Sequence, residues 1–142
     1  MPISKKVLAL FTSNKIRHSV ESINIDRYGI LNDKYYHKNI NRSILITSTE
    51  SYKLIQKNKI QMQHGQLGEN LLVNFNPYGL SLGTQIKVGD CILEITENCT
   101  LCNHLSKIDK KLPLLIKNNR GIFAKVIQGG QIQVSNTMHL ID

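Results

Sequence analysis

Two cysteines three positions apart, Cys99 and Cys102, are the residues of this 142-residue sequence whose type and spacing point most directly to chemistry. They follow an alternating apolar segment, residues 91–96, which predicts a β-strand. A thiolate in a loop beyond a strand can attack an electrophile, bind a metal or carry sulfur, whereas a thiol inside the strand would only pack. Cys91 alternates in phase with the apolar residues of that strand, so we expect it in the core.

The Cys-x-x-Cys spacing admits several interpretations. A thioredoxin-like pair lies at a helix N-terminus within a βαβ unit, whereas the surrounding sequence predicts antiparallel strands. A structural zinc site needs four ligands, and Cys99, Cys102 and His104 supply at most three. A reversible dithiol and a pair of incidental loop thiols stay open as alternatives.

A glycine-rich segment, residues 65–71, places a carboxylate and an amide side by side before a predicted strand. Gly65 and Gly68 permit tight or left-handed backbone conformations, and Glu69 and Asn70 follow directly. Taken alone, this string is typical of turn chemistry. It gains meaning only together with other polar segments.

A third polar group contains Asp33, Lys34 and His37 in a tyrosine-bearing loop that precedes Arg42. Such a group can bind an anion, with Arg42 as the bidentate ligand of a phosphate. The alternative is a polar loop whose tyrosines cover one end of a barrel.

Composition and length indicate a folded domain. Hydrophobic residues make up 41% and charged residues 20% of the chain, which excludes disorder as the main state. The length predicts one domain, residues 1–142, with a core that needs neither disulfides nor a metal. No apolar run approaches a membrane span of about 20 residues, and residues 7–11 are too short for the core of a signal peptide. Three cysteines, an odd number, without a secretion signal predict reduced thiols and a cytoplasmic location.

The formal net charge of +8 comes from basic residues that are scattered along the chain. It indicates either a solvated basic surface or an anionic partner, such as nucleic acid or a phosphate-bearing cofactor. Aromatic residues amount to 6% and tryptophan is absent, which disfavours nucleic acid because base stacking relies on aromatic side chains.

Short apolar segments separated by turn residues predict a mainly β fold. The expected strands are residues 6–12, 19–26, 43–47, 71–75, 84–88, 91–96, 122–127 and 131–134. Residues 89–90 and 129–130 each predict the two-residue turn of a hairpin. In the closing hairpin, Arg120 and Lys125 have the pattern of ordinary surface charges.

Two helical segments interrupt the strands. Thr47 and Glu50 have the spacing of a capping box, which predicts a helix that begins after Thr47 and ends near Lys57. Residues 103–117 predict a short helix that Pro113 interrupts. Many short strands with one or two short helices predict a closed or partly closed antiparallel β-barrel.

Taken in order, these segments resemble the MOSC family, the domain named for the C-terminal part of molybdenum-cofactor sulfurases. The matching segments are residues 29–33, 42–46, 67–71, 82–83, 88–90 and 121–130, together with Glu50 and Cys102. The most specific part is Gly68, Glu69 and Asn70 followed by a cysteine after an alternating strand. The resemblance runs from about residue 20 to the end, and small stand-alone bacterial MOSC proteins have a similar length.

The resemblance implies a barrel like that of pyruvate kinase and a role in handling sulfur or the molybdenum cofactor (molybdopterin). It assigns the principal role to Cys102, as catalytic thiol and as metal ligand, because the Cys-x-x-Leu continuation from Cys102 to Leu105 looks like that of family members. Cys99 takes a supporting or resolving role. Pyridoxal phosphate binding is an association of the family as a whole.

The same resemblance implies a cofactor site and partners. Its cofactor-binding residues are Arg42, Asp33, Lys34, His37, Glu69 and Asn70, with Arg42 and Lys34 on the phosphate. The usual Gly-Asp-Arg-His-like stretch is replaced here by residues 32–35, Asn-Asp-Lys-Tyr. The implied partners are a small-molecule cofactor or substrate and a sulfur-donating desulfurase or a molybdoenzyme. The alternative from charge and fold is a non-catalytic basic barrel that binds nucleic acid or an acidic protein.

Overall fold

The computed structural model describes residues 4–100 and 105–141, and β-strands dominate this part of the chain. The strands are β1 (Val7–Ser13), β2 (Arg17–Val20), β3 (Ser22–Asp26), β4 (Gly29–Ile30), β5 (Ile44–Ser48), β6 (Leu71–Val73), β7 (Gln85–Val88), β8 (Cys91–Asn98), β9 (Ile122–Gln128), β10 (Gly130–Gln133) and β11 (Met138–Ile141). The helices are α1 (Thr49–Lys57), α2 (Leu105–Ile108) and α3 (Leu112–Leu115), and a 3₁₀ turn spans Ile40–Arg42.

The strands form two sheets. The larger sheet has eight strands in the order β11-β7-β8-β9-β5-β6-β1-β2, and the smaller has the order β10-β3-β4. The described pairs are antiparallel except β5 with β6, which are parallel. A parallel pair needs a long connection, and here α1 and the loop of residues 58–70 supply it.

The larger sheet curls back on itself. Val7, at the start of β1, donates its amide to the carbonyl of Asn136 at 3.0 Å, and Met138 donates to Lys5 at 2.8 Å. These bonds tie β1, near one end of the strand order, to the segment that enters β11 at the other end. A mainly β, partly closed fold is therefore confirmed.

The core lies between the two sheets, and a second apolar cluster lies under α1. Cys91 is fully buried in the main core, as the alternation of β8 predicts. The second cluster packs Ile55 of α1 against Leu67 and against Leu105 and Leu112 of the two short helices. No helix within residues 4–100 and 105–141 is long and apolar enough to cross a membrane.

Helix α1 begins one residue later than predicted. The N-cap is Ser48, whose hydroxyl accepts from the amide of Glu50 at 3.0 Å. Thr47 stays in β5, fully buried, where its hydroxyl donates to the carbonyl of Arg120 at 2.9 Å. The predicted end at Lys57 is confirmed. Pro113 lies in the first turn of α3, where its missing N–H costs no helical bond, so it separates α3 from α2.

The predicted hairpin at residues 129–130 is wrong. Strand β10 pairs with β3 in the smaller sheet, and β9 pairs with β8 and β5. The glycines serve a different purpose, because a Cβ on Gly129 would overlap the carbonyl oxygen of Ile25. They let the chain pass from one sheet to the other in close contact with β3. The predicted strand of residues 19–26 is also divided, into β2 and β3, which belong to different sheets.

Candidate functional site

Cys99 lies directly after β8 and is fixed to the neighbouring strands. Its amide donates to the carbonyl of Gly121 at 2.9 Å, and its side chain, 3% exposed, packs with Leu45 and Phe123. Cys102 lies outside the described residues, as does His104. The structure therefore fixes the point from which the chain continues toward Cys102.

Leu45 of β5 joins this point to the loop of residues 65–70. Its backbone exchanges two hydrogen bonds with Asn70: the amide of Leu45 donates to Asn70 Oδ1 at 2.9 Å, and the amide of Asn70 donates to the Leu45 carbonyl at 2.8 Å. The Leu45 side chain reaches both Gly68 and Gly121, since Cβ atoms there would lie 3.8 Å from its Cδ2 and 2.8 Å from its Cδ1. Cys99 and the Gly-Glu-Asn loop therefore both contact Leu45.

Glu69 is fully buried and organises its own loop. The hydroxyl of Tyr52 on α1 donates to both carboxylate oxygens, at 2.7 and 2.8 Å, and accepts from the amides of Gly65 and Leu67 at 3.0 and 3.2 Å. The Gly65 amide also lies 3.0 Å from Glu69 Oε2. Burial and the neighbouring charge of Glu69 raise the pKa of Tyr52. These hydrogen bonds offset the loss of hydration that burial of the Glu69 carboxylate causes.

Asn70 connects two strands as well as the loop. Besides its bonds to Leu45, its Nδ2 donates to the carbonyl of Phe11 in β1 at 3.2 Å. The described contacts of Glu69 and Asn70 are therefore with the protein itself, and their roles as cofactor ligands stay predictions.

Two arginines approach the same loop from the other elements. Arg120 is 4% exposed and donates from Nη2 to the Leu67 carbonyl at 2.9 Å. Arg17, the first residue of β2, donates from Nη2 to the carbonyl of Gly68. The expectation that Arg120 is a surface charge is wrong, because the side chain is buried and its guanidinium is bonded to the 65–70 loop. No spacing rule marks either arginine, because their positions follow from strand pairing.

Asp33 and Lys34 lie against the end of β1. Asp33 is buried, and its two oxygens accept from the amides of Ser13 at 2.7 Å and Tyr35 at 3.0 Å. The amide of Lys34 donates to the Ser13 carbonyl at 2.7 Å, and Ser13 is the register partner of Arg17. Asp33 and Lys34 therefore belong to the same end of the sheet as Arg17.

The Lys34 ammonium and the His37 ring make aromatic contacts. Lys34 is exposed and its Nζ lies 5.0 Å from the ring centroid of Tyr35. His37 is exposed, has a φ of 60°, and its ring centroid lies 4.3 Å from that of Tyr28. Both side chains are on the surface, as the loop pattern predicts.

Arg42 faces Phe123, the ring that also packs on Cys99. Its guanidinium carbon lies 5.3 Å from the ring centroid, and its Nε and Nη2 each lie 2.7 Å from Glu97 Oε1. Arg42 thus approaches the cysteine segment with a carboxylate partner already in place. Among residues 4–100 and 105–141, no three metal-ligating side chains form a cluster.

The fold is similar to that of solved structures at low sequence identity. The YUAD protein from Bacillus subtilis has a TM-score of 0.80 at 15% identity, over 97% of this chain and 96% of that one. YiiM from Geobacillus stearothermophilus gives 0.78 at 13% identity, over 97% and 75% of the two chains. YiiM from Escherichia coli gives 0.75 at 16% identity, over 99% and 71%. At such identities the likeness demonstrates the fold.

No functionally curated protein matches this sequence significantly. The family model described as the MOSC domain matches residues 33–139, three quarters of the chain. The chain therefore belongs to the MOSC domain family.

Proposed function

We propose that this protein handles sulfur or the molybdenum cofactor through the thiolate of Cys102. The observation that supports this most is the set of contacts around Leu45. They hold the residue before the Cys102 segment, Cys99, next to the Gly-Glu-Asn loop and to Arg120. Cys102 follows Cys99 by three positions, so the two Cα atoms are at most about 11 Å apart.

The side chains near that point fit a phosphate-bearing cofactor. Arg120 Nε and Nη1 and Arg17 Nη1 are buried and have no hydrogen-bond partner among the described residues. Buried guanidinium N–H groups without partners fit an anionic ligand, and phosphate accepts several such bonds at once. When bound, the cofactor would supply a molybdenum centre, for which a soft cysteine thiolate is a suitable ligand.

As a sulfur carrier, Cys102 would take part in a transfer between thiols. Its thiolate would attack the terminal sulfur of a donor persulfide, forming a new S–S bond on Cys102 while the donor's S–S bond breaks and the donor leaves as a thiolate. The step is redox-neutral and needs only a persulfide donor, such as that of a desulfurase. Positive charge nearby, from Arg42 and from Arg17 and Arg120, which bind the 65–70 loop, would favour the thiolate.

The remaining site residues have supporting roles in this proposal. Tyr52 and Glu69 would set the shape of the 65–70 loop, and Asn70 would hold that loop to β1 and β5. Asp33 would order the loop that presents Lys34 and His37. Cys99, buried against Phe123, would position the chain rather than react first. A cytoplasmic location, a single domain and a desulfurase or molybdoenzyme partner stay predictions.

The test is sulfur loading followed by mass spectrometry of the intact protein. The wild type is incubated with a low-molecular-weight persulfide, and a matched sample is expressed with molybdenum cofactor and assayed for metal. We expect a gain of one sulfur atom or bound molybdenum in wild type and in Cys99→Ala, and neither in Cys102→Ala. Cys91→Ala, a change in the core, is the control. Equal, negligible loading in wild type and Cys102→Ala would disprove the proposal.

A further inference from the structure

The guanidinium of Arg120 has more donors than the described protein satisfies. Of its donor atoms, Nη2 binds the Leu67 carbonyl at 2.9 Å, whereas Nε and Nη1 have no partner among the described residues. The side chain is 4% exposed, so bulk solvent reaches little of it. A buried charged group left in this state is costly.

A second guanidinium meets it at the same place. Arg17 binds the Gly68 carbonyl through Nη2, and its Nη1 is also buried without a partner among the described residues. A Cβ built on Gly68 would lie 3.7 Å from Arg120 Nη2 and 4.0 Å from Arg17 Nη2. The missing side chain of Gly68 thus leaves a small space that both arginines border.

Among the described residues, no carboxylate forms an ion pair with either arginine. The ion pairs of the described residues join Arg42 to Glu97, Lys53 to Glu50 and Lys125 to Glu94. The nearest carboxylate in sequence, Glu69, is engaged by Tyr52 and Gly65. Arginine stays charged at any physiological pH, so two positive charges face one space without a counter-charge from these residues.

From this arrangement we propose that Arg17 and Arg120 form a binding site for a tetrahedral oxyanion, a phosphate group, in the space at Gly68. The two planar guanidinium groups together have three donor atoms without a described partner. Such donors suit a tetrahedral anion, whose oxygens accept hydrogen bonds from several directions. Arg17 and Gly68 are half-buried, so the site opens on that side. The assignment differs from the phosphate ligand that the sequence suggests, Arg42, which already has Glu97.

The phosphate has two possible sources: free inorganic phosphate or the phosphomonoester of the cofactor. The second source rests on the proposed function, and the first does not. Binding of inorganic phosphate therefore tests the site independently of any cysteine chemistry.

The experiment is calorimetric titration of the full chain with inorganic phosphate at constant ionic strength, with chloride as the reference anion. We expect saturable binding to wild type and to Cys102→Ala, and a loss of affinity of about tenfold or more in Arg17→Ala. Arg17→Lys keeps the positive charge but loses the planar guanidinium group, so its affinity for phosphate should be intermediate. Arg27→Ala, at an exposed arginine that lies over the ring of Tyr28, is the matched control and should bind as wild type does.

Two further results decide the matter. Loss of binding in Arg42→Ala with none in Arg17→Ala, or equal heats for phosphate and chloride, would overturn the site. Arg120→Gln is compared only after its circular dichroism matches that of wild type. If Arg120→Gln does not fold, Arg17→Ala carries the test.

A competition titration with isolated molybdenum cofactor then distinguishes the two sources of phosphate. Displacement of the cofactor by inorganic phosphate identifies the cofactor phosphomonoester as the natural ligand, and simultaneous binding of both identifies free phosphate.

Discussion

Arg42 and Glu97 form an ion pair in which both Nε and Nη2 of the arginine lie 2.7 Å from one carboxylate oxygen. The two side chains are 36% and 37% exposed, and Arg42 also lies over the ring of Phe123. This arginine is therefore neutralised at the protein surface. Arg17 and Arg120, by contrast, keep buried donor atoms that have no hydrogen-bond partner among the described residues. Arg17 and Arg120 are therefore our candidates for anion binding, whereas the role of Arg42 as a phosphate ligand stays a prediction.

The first prediction concerns the stability that the Arg42–Glu97 pair provides. Arg42→Ala should lower the free energy of unfolding by about 1 kcal/mol, because exposed ion pairs and cation–π contacts are each weak. Urea unfolding of Arg42→Ala, Glu97→Gln and the double variant would measure the coupling between the two side chains. A loss several times larger would indicate that Arg42 has a further, buried partner.

Tyr52 should be far more important for stability. Tyr52→Phe removes the hydroxyl that donates to Glu69 and that accepts from Gly65 and Leu67, which leaves a buried carboxylate with one described donor. We expect a loss of about 2–4 kcal/mol in the free energy of unfolding. Tyr36→Phe, which removes a half-buried bond to Asp26, is the control and should lose less. Equal losses in the two variants would contradict the role given to Tyr52.

The pH dependence of stability should show the same contact. Burial and the charge of Glu69 raise the pKa of Tyr52 in the folded protein, so the folded state holds the proton more tightly than the unfolded state does. The stabilisation is complete below the unfolded pKa of about 10 and is lost as the pH rises above it. Urea unfolding between about pH 8 and 11 should show a steeper alkaline loss for wild type than for Tyr52→Phe. If the stability of the two proteins fell in parallel with pH, the predicted effect of Tyr52 ionisation would be wrong.

The sequence predicts local structure well where one pattern decides it. The alternation of β8 identifies Cys91 as a core residue, turn residues identify the Gly-Glu-Asn loop, and the capping pattern places the start of α1 to within one residue. It does not predict which strands pair, so residues 129–130 suggest a hairpin although β10 pairs with β3. Arg17 and Arg120 were missed for the same reason. A sequence shows each arginine alone, and only the paired strands bring both to Gly68.

The thiols should differ in reactivity according to their burial. Burial raises the pKa of the Cys91 thiol to about 11, so at neutral pH almost none of it is thiolate, the nucleophilic form. Cys99 is also buried, against Leu45 and Phe123. Alkylation of the native protein with iodoacetamide, followed by peptide mass spectrometry, should label Cys102 first, then Cys99, and Cys91 last. Early labelling of Cys91 would mean that the core opens readily.

Gly68→Ala should weaken phosphate binding more than its effect on stability explains. Gly68 has a φ of 93°, so a side chain there costs about 1–2 kcal/mol, and its methyl group would occupy the space between Arg17 and Arg120 without a severe clash. Gly83 is a matched control, because its φ is 89° and a Cβ there meets no atom within 4 Å. Both variants should lose similar stability in urea unfolding, whereas calorimetric titration should show weaker phosphate binding in Gly68→Ala alone. If Gly83→Ala loses phosphate affinity equally, backbone strain explains the effect and the space at Gly68 is not the anion site.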